Sequence, residues 1–469
     1  MKKNILVSYI HGIRDTFHGE SYSAILSYFL PEFVTTVLLY SCIPLLDSWW
    51  IADLKSTSIY ATLGATNIFI HFIIKIAEGF SVGTVILTGT YNGQKAFDQV
   101  GRTLINVFWV TCIVGGVVAG TLYFGAYWIY RLYGIPAKMI AIGVPFLKLR
   151  AISVFLMFIY FAFVGFLRGI KNTRVPMQIF TVGSIIFLFF DYALIFGKYG
   201  FPQMKLQGSA LASIIQYSSM MFMAFCYIIF VKENRKYGIN LINVWFDWSH
   251  VKDILRLSWP VMVDKAILAA AGIWVGMLVN PMGKYVIASF TVIKDLQRLA
   301  IQPGVAFSQV ITFLVSNSYG AQDWDGIKNN IKKVVFLSSL SVFVISFIFS
   351  VWPHYFIQFF DHKGKFTYFS AQVLPILSVM IFFDLLQLLL SGALRGATDV
   401  KVVMWVRVAV LIFFFFPVSW FFAHLPLENI MLKFVLVYGT LYISNGLMSA
   451  VYINRFRGER WKTKSIGTR

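Results

Sequence analysis

The sequence predicts an all-α polytopic membrane protein with twelve transmembrane helices arranged in two six-helix halves. Three observations lead to this fold class: a very apolar composition, about twelve apolar runs long enough to cross a bilayer, and a motif that occurs twice. Of the 469 residues, 58% are hydrophobic, 18% are aromatic and only 13% are charged. A soluble domain has a charged fraction of roughly 25%. The bilayer is therefore the expected solvent.

The apolar runs have the length that a membrane-crossing helix requires, about 20 residues. In the first half they cover residues 26–51, 60–91, 104–130, 140–168, 176–197 and 207–231. In the second half they cover residues 255–280, 286–318, 334–359, 367–394, 402–423 and 429–453. Because these runs lack the period-2 alternation of outer-membrane barrel strands, we predict that all of them are helices.

The two halves share landmarks at one constant offset. Residues 165–169 read GFLRG and residues 392–396 read GALRG, 227 positions later. Gly93 and Gly320 close two other apolar runs and are also 227 positions apart. Two independent landmarks at one offset indicate an internal duplication. In a membrane protein, duplicated halves often enclose a transport pathway.

The net charge of +20 is distributed as the positive-inside rule requires. Of the 40 Lys and Arg residues, 22 lie in the termini and in the even-numbered loops, and 8 lie in the odd-numbered loops. We therefore expect both termini to be cytoplasmic in a bacterial inner (plasma) membrane. Nucleic-acid binding is not expected, because aromatic and basic residues do not alternate outside the spans.

The predicted organisation has five parts. They are a cytoplasmic amphipathic N-terminal segment (1–25), an N-lobe (26–231), a cytoplasmic linker (232–254), a C-lobe (255–453) and a basic cytoplasmic tail (454–469). The sequence has no P-loop, and its three cysteines lie within spans. We therefore expect neither an enzyme nor a metal site or cofactor, and we expect a monomer whose surroundings are lipid.

Candidate functional residues are the acids within the spans, since a charge at the centre of a transmembrane helix costs about 2.5 to 3.5 kcal/mol. Seven acids qualify: Glu32, Asp47, Glu78, Asp191, Asp264, Asp295 and Asp384. They differ in the charges that surround them in the sequence, and this difference ranks them.

Asp191 is the most isolated of these acids. It follows six apolar residues, 185–190, and has no basic residue within a helical turn. This setting makes it a candidate carrier of a proton or a sodium ion. The structural alternative is a carboxylate satisfied by hydroxyl groups of neighbouring helices. The duplication supports a functional role for Asp191, because only the first half carries an acid at this position. The equivalent residue in the second half is Val418.

Asp47 lies near the outward end of the first span, three residues after Pro44 and close to the membrane interface. Pro31 and Pro44 bracket most of this helix, and Pro44 removes a backbone hydrogen bond and permits a bend. Our hypothesis is that protonation of Asp47 biases this bend. A structural role at the interface is the alternative.

Asp384 is the isolated acid of the second half. Asp264 is followed by Lys265, which points to another face of the helix, and its role stays open. The remaining acids are expected to be neutralised. Glu78 has Lys75 at i−3, Asp295 lies among basic residues, and Glu32 is expected to be solvated at the cytoplasmic edge.

These residues carry a resemblance to the multidrug and toxic compound extrusion (MATE) family over about 420 residues. In the first half it rests on Leu30-Pro31, Asp47, residues 165–176 and residues 191–212. In the second half it rests on Trp259-Pro260, residues 319–321, Asp384 and residues 392–399. The resemblance implies two six-helix bundles related by pseudo-twofold symmetry around a V-shaped cleft. It also implies export of cationic or amphipathic organic compounds against an inward flow of protons or sodium ions.

By the same resemblance, Asp47 and Asp191 match the N-lobe acids of cation coupling, and Asp384 matches the C-lobe acid of other branches. Two positions depart from the family. Phe187 stands where an asparagine is common, although Ser213 still offers a hydroxyl, and Asp264 is the acid nearest to the usual seventh-helix glutamate. Sodium needs several oxygen ligands whereas a proton needs one carboxylate, so we expect proton coupling rather than sodium coupling.

The alternative function is a flippase for a lipid-linked saccharide or another lipid, within the same superfamily. Flippases often have a cationic central cavity, whereas the isolated charges here are acids. Lys148 and Arg150 are the exceptions, because they lie deep in the fourth span with no acid nearby in the sequence. A non-transporting scaffold would leave three intramembrane acids without a role.

Overall fold

The computed structural model describes residues 9, 12–13, 18–239, 247–361 and 364–462. Within them, twelve helices are long and apolar enough to cross a membrane, which confirms the predicted fold class. The helices are α1 (Tyr22–Asp53), α2 (Thr57–Gly93), α3 (Phe97–Leu132), α4 (Ala137–Gly169), α5 (Arg174–Phe196), α6 (Leu206–Phe230), α7 (Trp248–Met282), α8 (Lys284–Gly320), α9 (Trp324–Val351), α10 (Thr367–Gly396), α11 (Val400–His424) and α12 (Ile430–Arg457).

The chain divides into two compact units. The N-terminal unit is Leu30–Met262, and the C-terminal unit combines Met1–Phe29 with Val263–Arg469. Both divisions fall within helices, in α1 and in α7, so each of these helices begins in one unit and continues in the other. The core of each unit consists mainly of apolar residues contributed by several helices.

Eleven of the predicted spans match their helices to within seven residues at each end, and the ninth extends too far. Helix α9 ends at Val351, and a separate short helix, Pro353–Gln358, follows it. The chain breaks here because Pro353 cannot donate a backbone hydrogen bond, so it begins a new helix instead of continuing the old one. Most of the predicted N-terminal segment, residues 240–246 of the linker and residues 463–469 of the tail lie outside the described residues.

Two helices contain a wide turn directly before a proline. In α1 the π-helical turn Leu38–Cys42 precedes Pro44, and in α11 the π-helical turn Leu411–Phe415 precedes Pro417. A proline ring clashes with the carbonyl group four residues earlier, and a wider turn accommodates the ring. In α1 this irregular turn lies one helical turn before Asp47.

The glycines of the repeated motif allow close helix packing in both units. A Cβ atom at Gly165 would lie 2.7 Å from the Ser81 carbonyl oxygen, where α4 packs against α2. A Cβ atom at Gly392 would lie 2.9 Å from the Ser308 carbonyl oxygen, where α10 packs against α8. Ser81 and Ser308 are also 227 positions apart. The duplication therefore includes the helix contact as well as the motif.

The close contact at Gly165 predicts that Gly165→Ala destabilises the protein. The added methyl group would overpack the interface between α4 and α2, at an expected cost of about 1 to 3 kcal/mol. Gly120→Ala in α3 is the matched control, since a Cβ atom there has no neighbour within 4 Å. We expect a lower melting temperature in detergent for Gly165→Ala and an unchanged or higher one for Gly120→Ala. Equal melting temperatures would contradict this account of the motif.

Candidate functional site

A cavity of about 90 Å³ lies within the N-terminal unit, lined by residues of α1, α2, α4, α5 and α6. Its polar lining includes Asp47, Asn67, His71, Arg150, Ser213 and Gln216. A pocket for a drug-sized molecule has a volume of about 300 to 1,000 Å³, and a water molecule occupies about 30 Å³. This cavity is therefore of a size for protons, small ions or a few water molecules.

Asp47 lines this cavity and is 8% exposed. It lies in the segment of α1 that follows the π-helical turn and Pro44. The Ser209 Oγ of α6 donates a hydrogen bond of 2.8 Å to Asp47 Oδ1. The structure thus ties Asp47 to α6, and its carboxylate faces the interior of the unit instead of the interface.

Asp191 lies in α5 and is fully buried, with an exposed fraction of 0%. Within the described residues, neither of its carboxylate oxygens accepts a well-aligned hydrogen bond, although the Ser209 hydroxyl group, which donates to Asp47, lies near it. Asp47 and Arg150 lie close enough to interact with it electrostatically. Phe187, one turn earlier in α5, lines the cavity and contributes no oxygen ligand. A buried carboxyl group without hydrogen bonds is costly, which is typical of a functional site.

Arg150 brings a positive charge to these two acids. It lies in α4, and its Nη1 donates a hydrogen bond to Ser213 Oγ of α6. Ser213 Oγ in turn donates to the Ser209 carbonyl oxygen at 3.0 Å. The guanidinium also interacts electrostatically with Asp47 and Asp191. The expectation that Arg150 has no acid nearby is therefore wrong, because helix packing brings α1 and α5 to it.

The charges of this cluster do not balance. Two carboxylates, Asp47 and Asp191, lie near one guanidinium, that of Arg150. With both acids ionised, these three side chains carry one negative charge in total. A single proton or other monovalent cation would neutralise them.

In the C-terminal unit, nearby basic residues at least balance the negative charges of Asp264 and Asp384. Asp264 is 2% exposed, lies 2.5 Å from Arg395 Nη2 and also accepts a hydrogen bond from Arg407 Nε. Asp384 accepts a hydrogen bond of 3.1 Å from Asn445 Nδ2 and interacts electrostatically with Arg407. Two carboxylates therefore lie near two guanidinium groups, and Lys265 adds a further positive charge near Asp264. Asp264 forms a buried ion cluster, and the sequence did not reveal it because both partners are more than 130 residues away.

A similar ion pair occurs in the N-terminal unit. Glu32 of α1 is 1% exposed and binds Arg168 through two hydrogen bonds of 2.7 and 2.5 Å. The expectation that Glu32 is solvated is therefore wrong. Arg168 and Arg395 are equivalent residues of the repeated motif. In both units, the motif arginine neutralises an acid that lies shortly after the Leu-Pro or Trp-Pro landmark within the same helix.

The other neutralised acids behave as their spacing predicts. Lys75 Nζ lies 2.9 Å from Glu78 Oε1, and the Tyr40 hydroxyl hydrogen-bonds with both side chains. Asp295 interacts electrostatically with Lys294 and Arg298. Among the seven candidate acids, Asp191 is thus distinguished by two carboxylate oxygens that have no partner in the described part of the chain.

Comparison with known proteins identifies the family of this chain. The family model MatE matches residues 33–193 and 260–421, which is more than half of the sequence. This chain belongs to the MATE family. The two matched stretches correspond to the two halves of the internal duplication. With its twelve apolar helices, this MATE-family chain is a multi-pass membrane protein.

Curated relatives are similar over part of their length. The probable multidrug resistance protein YoeA of Bacillus subtilis is 24% identical over 66% of this chain and 66% of its own. The probable multidrug resistance protein NorM of Thermotoga maritima is 25% identical over 66% of this chain and 65% of its own. The chain thus spans slightly less than two thirds of the length of these relatives.

Solved structures share the fold over nearly the whole chain. A variant of the Vibrio cholerae MATE transporter VcmN superposes with a TM-score of 0.85 and 16% identity, covering 98% of this chain and 100% of that one. A MOP superfamily transporter from Pyrococcus furiosus has a TM-score of 0.84 and 17% identity, over 97% and 99% of the two chains. For that protein, a binding pocket of reverse polarity suggests a different function. At these identities the similarity establishes the fold alone.

Proposed function

We propose that this MATE-family chain is a secondary active antiporter that exports organic cations or amphipathic drugs or metabolites. In this proposal it lies in the bacterial inner membrane with both termini cytoplasmic, and inward proton flow drives export. The observation that carries the proposal is the unbalanced cluster of Asp47, Asp191 and Arg150, which would take up one further positive charge. The cavity of about 90 Å³ is too small for a drug-sized cation, so the proposal requires α1 to bend and widen it before a cationic substrate can compete with the proton for this negative charge.

Asp191 is the proposed site of proton exchange. Its oxygens accept no well-aligned hydrogen bond within the described residues, and the nearby Ser209 hydroxyl group donates to Asp47, so a proton can bind Asp191 without displacing a donor. Asp47 is proposed as its partner, since a proton on either acid lowers the repulsion between the two. Ser209 and Ser213 then position Asp47 and Arg150.

Helix α1 is the proposed moving element. Its π-helical turn and Pro44 leave the backbone irregular one turn before Asp47. A change in the charge of Asp47 changes how strongly this part of α1 is held to Ser209 and Arg150. Export would follow if the two charge states favour different bends of α1.

Of the second-lobe candidates, Asp384 and Asp264 receive different roles in this proposal. Asp264 is held by two arginines, which suits a structural ion cluster. Among the described residues, Asp384 has the neutral Asn445 as its hydrogen-bond partner, and it remains the candidate for a second ionisable site. The charge balance of this cluster makes it a weaker cation site than that of Asp191.

A lipid flippase is the alternative function. In the sequence, two basic residues deep in the fourth span, Lys148 and Arg150, favour this alternative. In the structure, Arg150 lies beside two acids, and Lys148 Nζ lies 5.2 Å from the ring centre of Tyr123. A cluster with an excess of negative charge suits a cationic substrate better than an anionic lipid headgroup.

The test uses everted membrane vesicles from cells that express the chain, with ethidium as the fluorescent organic cation. An acid-inside proton gradient and a sodium gradient are imposed separately, and vesicles from cells without the chain are the control. We expect the proton gradient alone to drive ethidium uptake. If neither gradient drives uptake of ethidium or of other organic cations, the antiporter proposal is wrong and the flippase becomes the better one.

A further inference from the structure

Arg150 is a permanent positive charge placed where a transported cation would be expected. Its guanidinium reaches from α4 to the Ser213 hydroxyl of α6, and it interacts with Asp47 of α1 and with Asp191 of α5. An arginine side chain does not deprotonate in a protein. The cluster therefore holds one cation at every pH at which the protein is folded.

We infer that the Arg150 guanidinium is a built-in cation that occupies the place a sodium ion would need between Asp47, Asp191 and Ser213. By this occupancy, Arg150 restricts the site to protons. The inference rests on the proposed cation exchange at Asp191 and deepens it, because it names the residue that selects the coupling ion. The sequence did not predict this role for Arg150.

The oxygen atoms of the site support this assignment. Sodium is a hard cation that requires several oxygen ligands at once, as calcium and magnesium do. Ser213 Oγ already accepts a hydrogen bond from Arg150, and Asp47 Oδ1 already accepts one from Ser209. Phe187 lines the cavity without offering an oxygen. A proton needs a single carboxylate oxygen, and Asp191 has two that are not hydrogen-bonded in the described structure.

The remaining polar groups around the site do not replace Arg150 as a cation. Besides Asp47 and Arg150, the ionisable side chains that line the cavity are Tyr40 of α1, His71 of α2 and Tyr217 of α6. Tyrosine is neutral or anionic, and His71 carries a positive charge only when protonated. At alkaline pH, Arg150 is therefore the cation of this cavity.

Arg150→Gln should convert the site from one that excludes sodium to one that binds it. Glutamine removes the positive charge, releases Ser213 Oγ and adds a carbonyl oxygen. A neighbouring positive charge shifts the proton-binding equilibrium of a carboxylate by about one to three log units. We expect an effect of similar size on sodium binding, so the sodium affinity should rise at least about tenfold. The measurement is equilibrium binding of radioactive sodium to purified protein in detergent at alkaline pH.

Two variants serve as controls. Arg150→Lys retains a cation and should bind sodium as weakly as the wild type. Lys148→Gln removes a positive charge from the same helix, but Lys148 interacts with Tyr123 and does not line the cavity. It should also bind sodium as the wild type does. Gel filtration and melting temperature establish that each variant is folded, and Arg150→Met provides a second neutral variant if Arg150→Gln does not fold.

The results separate this inference from the proposed function. Saturable sodium binding by the wild type, as tight as that of Arg150→Gln, would overturn the inference. A folded, neutral Arg150 variant that still excludes sodium would also overturn it. Sodium binding at equilibrium does not require transport. If ethidium uptake fails while Arg150→Gln gains sodium binding, the antiporter is rejected. The exclusion of sodium by Arg150 would still hold.

Discussion

Asp191→Asn is expected to abolish gradient-driven ethidium uptake and leave only the background of vesicles without the chain. Asparagine has nearly the same shape as aspartate but cannot exchange a proton, so the coupling step is lost. The protein should still fold, because a neutral amide is less costly than a carboxylate in a buried position without hydrogen bonds. We therefore expect an unchanged or higher melting temperature together with complete loss of uptake.

Asp384→Asn is the matched control for this prediction. It makes the same chemical change at an intramembrane acid that already interacts with the guanidinium group of Arg407. We expect Asp384→Asn vesicles to retain proton-driven uptake. The opposite pattern, with uptake lost in Asp384→Asn and retained in Asp191→Asn, would place the coupling site in the C-terminal unit.

Asp264→Asn is expected to destabilise the protein more than any other single acid-to-amide change among the candidates. The substitution removes the carboxylate that neutralises both Arg395 and Arg407, which are 8% and 2% exposed. Breaking a buried ion pair by removing one partner costs about 3 to 5 kcal/mol, because a buried charge is left without compensation. The measurement is the melting temperature in detergent and the yield of monodisperse protein.

Asp325→Asn provides the control for this effect. Asp325 pairs with Lys328 at 3.5 Å on the exposed surface, and such pairs contribute about 0 to 1 kcal/mol. We expect its melting temperature to match that of the wild type. A similarly small effect for Asp264→Asn would contradict the assignment of a buried ion cluster to Asp264, Arg395 and Arg407.

The sequence was sufficient to predict the helices and the acids. The bilayer requires each crossing helix to be long and apolar, and this local requirement can be read directly from residues such as 140–168. The same requirement makes an acid such as Asp191 conspicuous. The repeated GxLRG motif predicted the duplication, and its glycines proved to lie at close helix contacts in both units.

The partners of the acids could not be predicted in the same way. Arg168 binds Glu32 across 136 positions, and Arg407 binds Asp264 across 143 positions. These pairs depend on which helices pack together, which the apolar pattern does not specify. The surroundings of Arg150 were missed for this reason. Ser209, which binds Asp47, lies in a recognised motif, but its hydroxyl gave no signal of its partner.

The proposed antiporter requires an organic cation and a proton to compete for the cluster of Asp47, Asp191 and Arg150. Its most direct test is proton release when tetraphenylphosphonium binds purified protein in weakly buffered detergent solution, with binding followed by calorimetry. Linkage between the two ligands predicts that the wild type releases about one proton for each cation bound, and that Asp191→Asn releases none. Binding of the cation by the wild type without any proton release would show that the two ligands do not share this cluster.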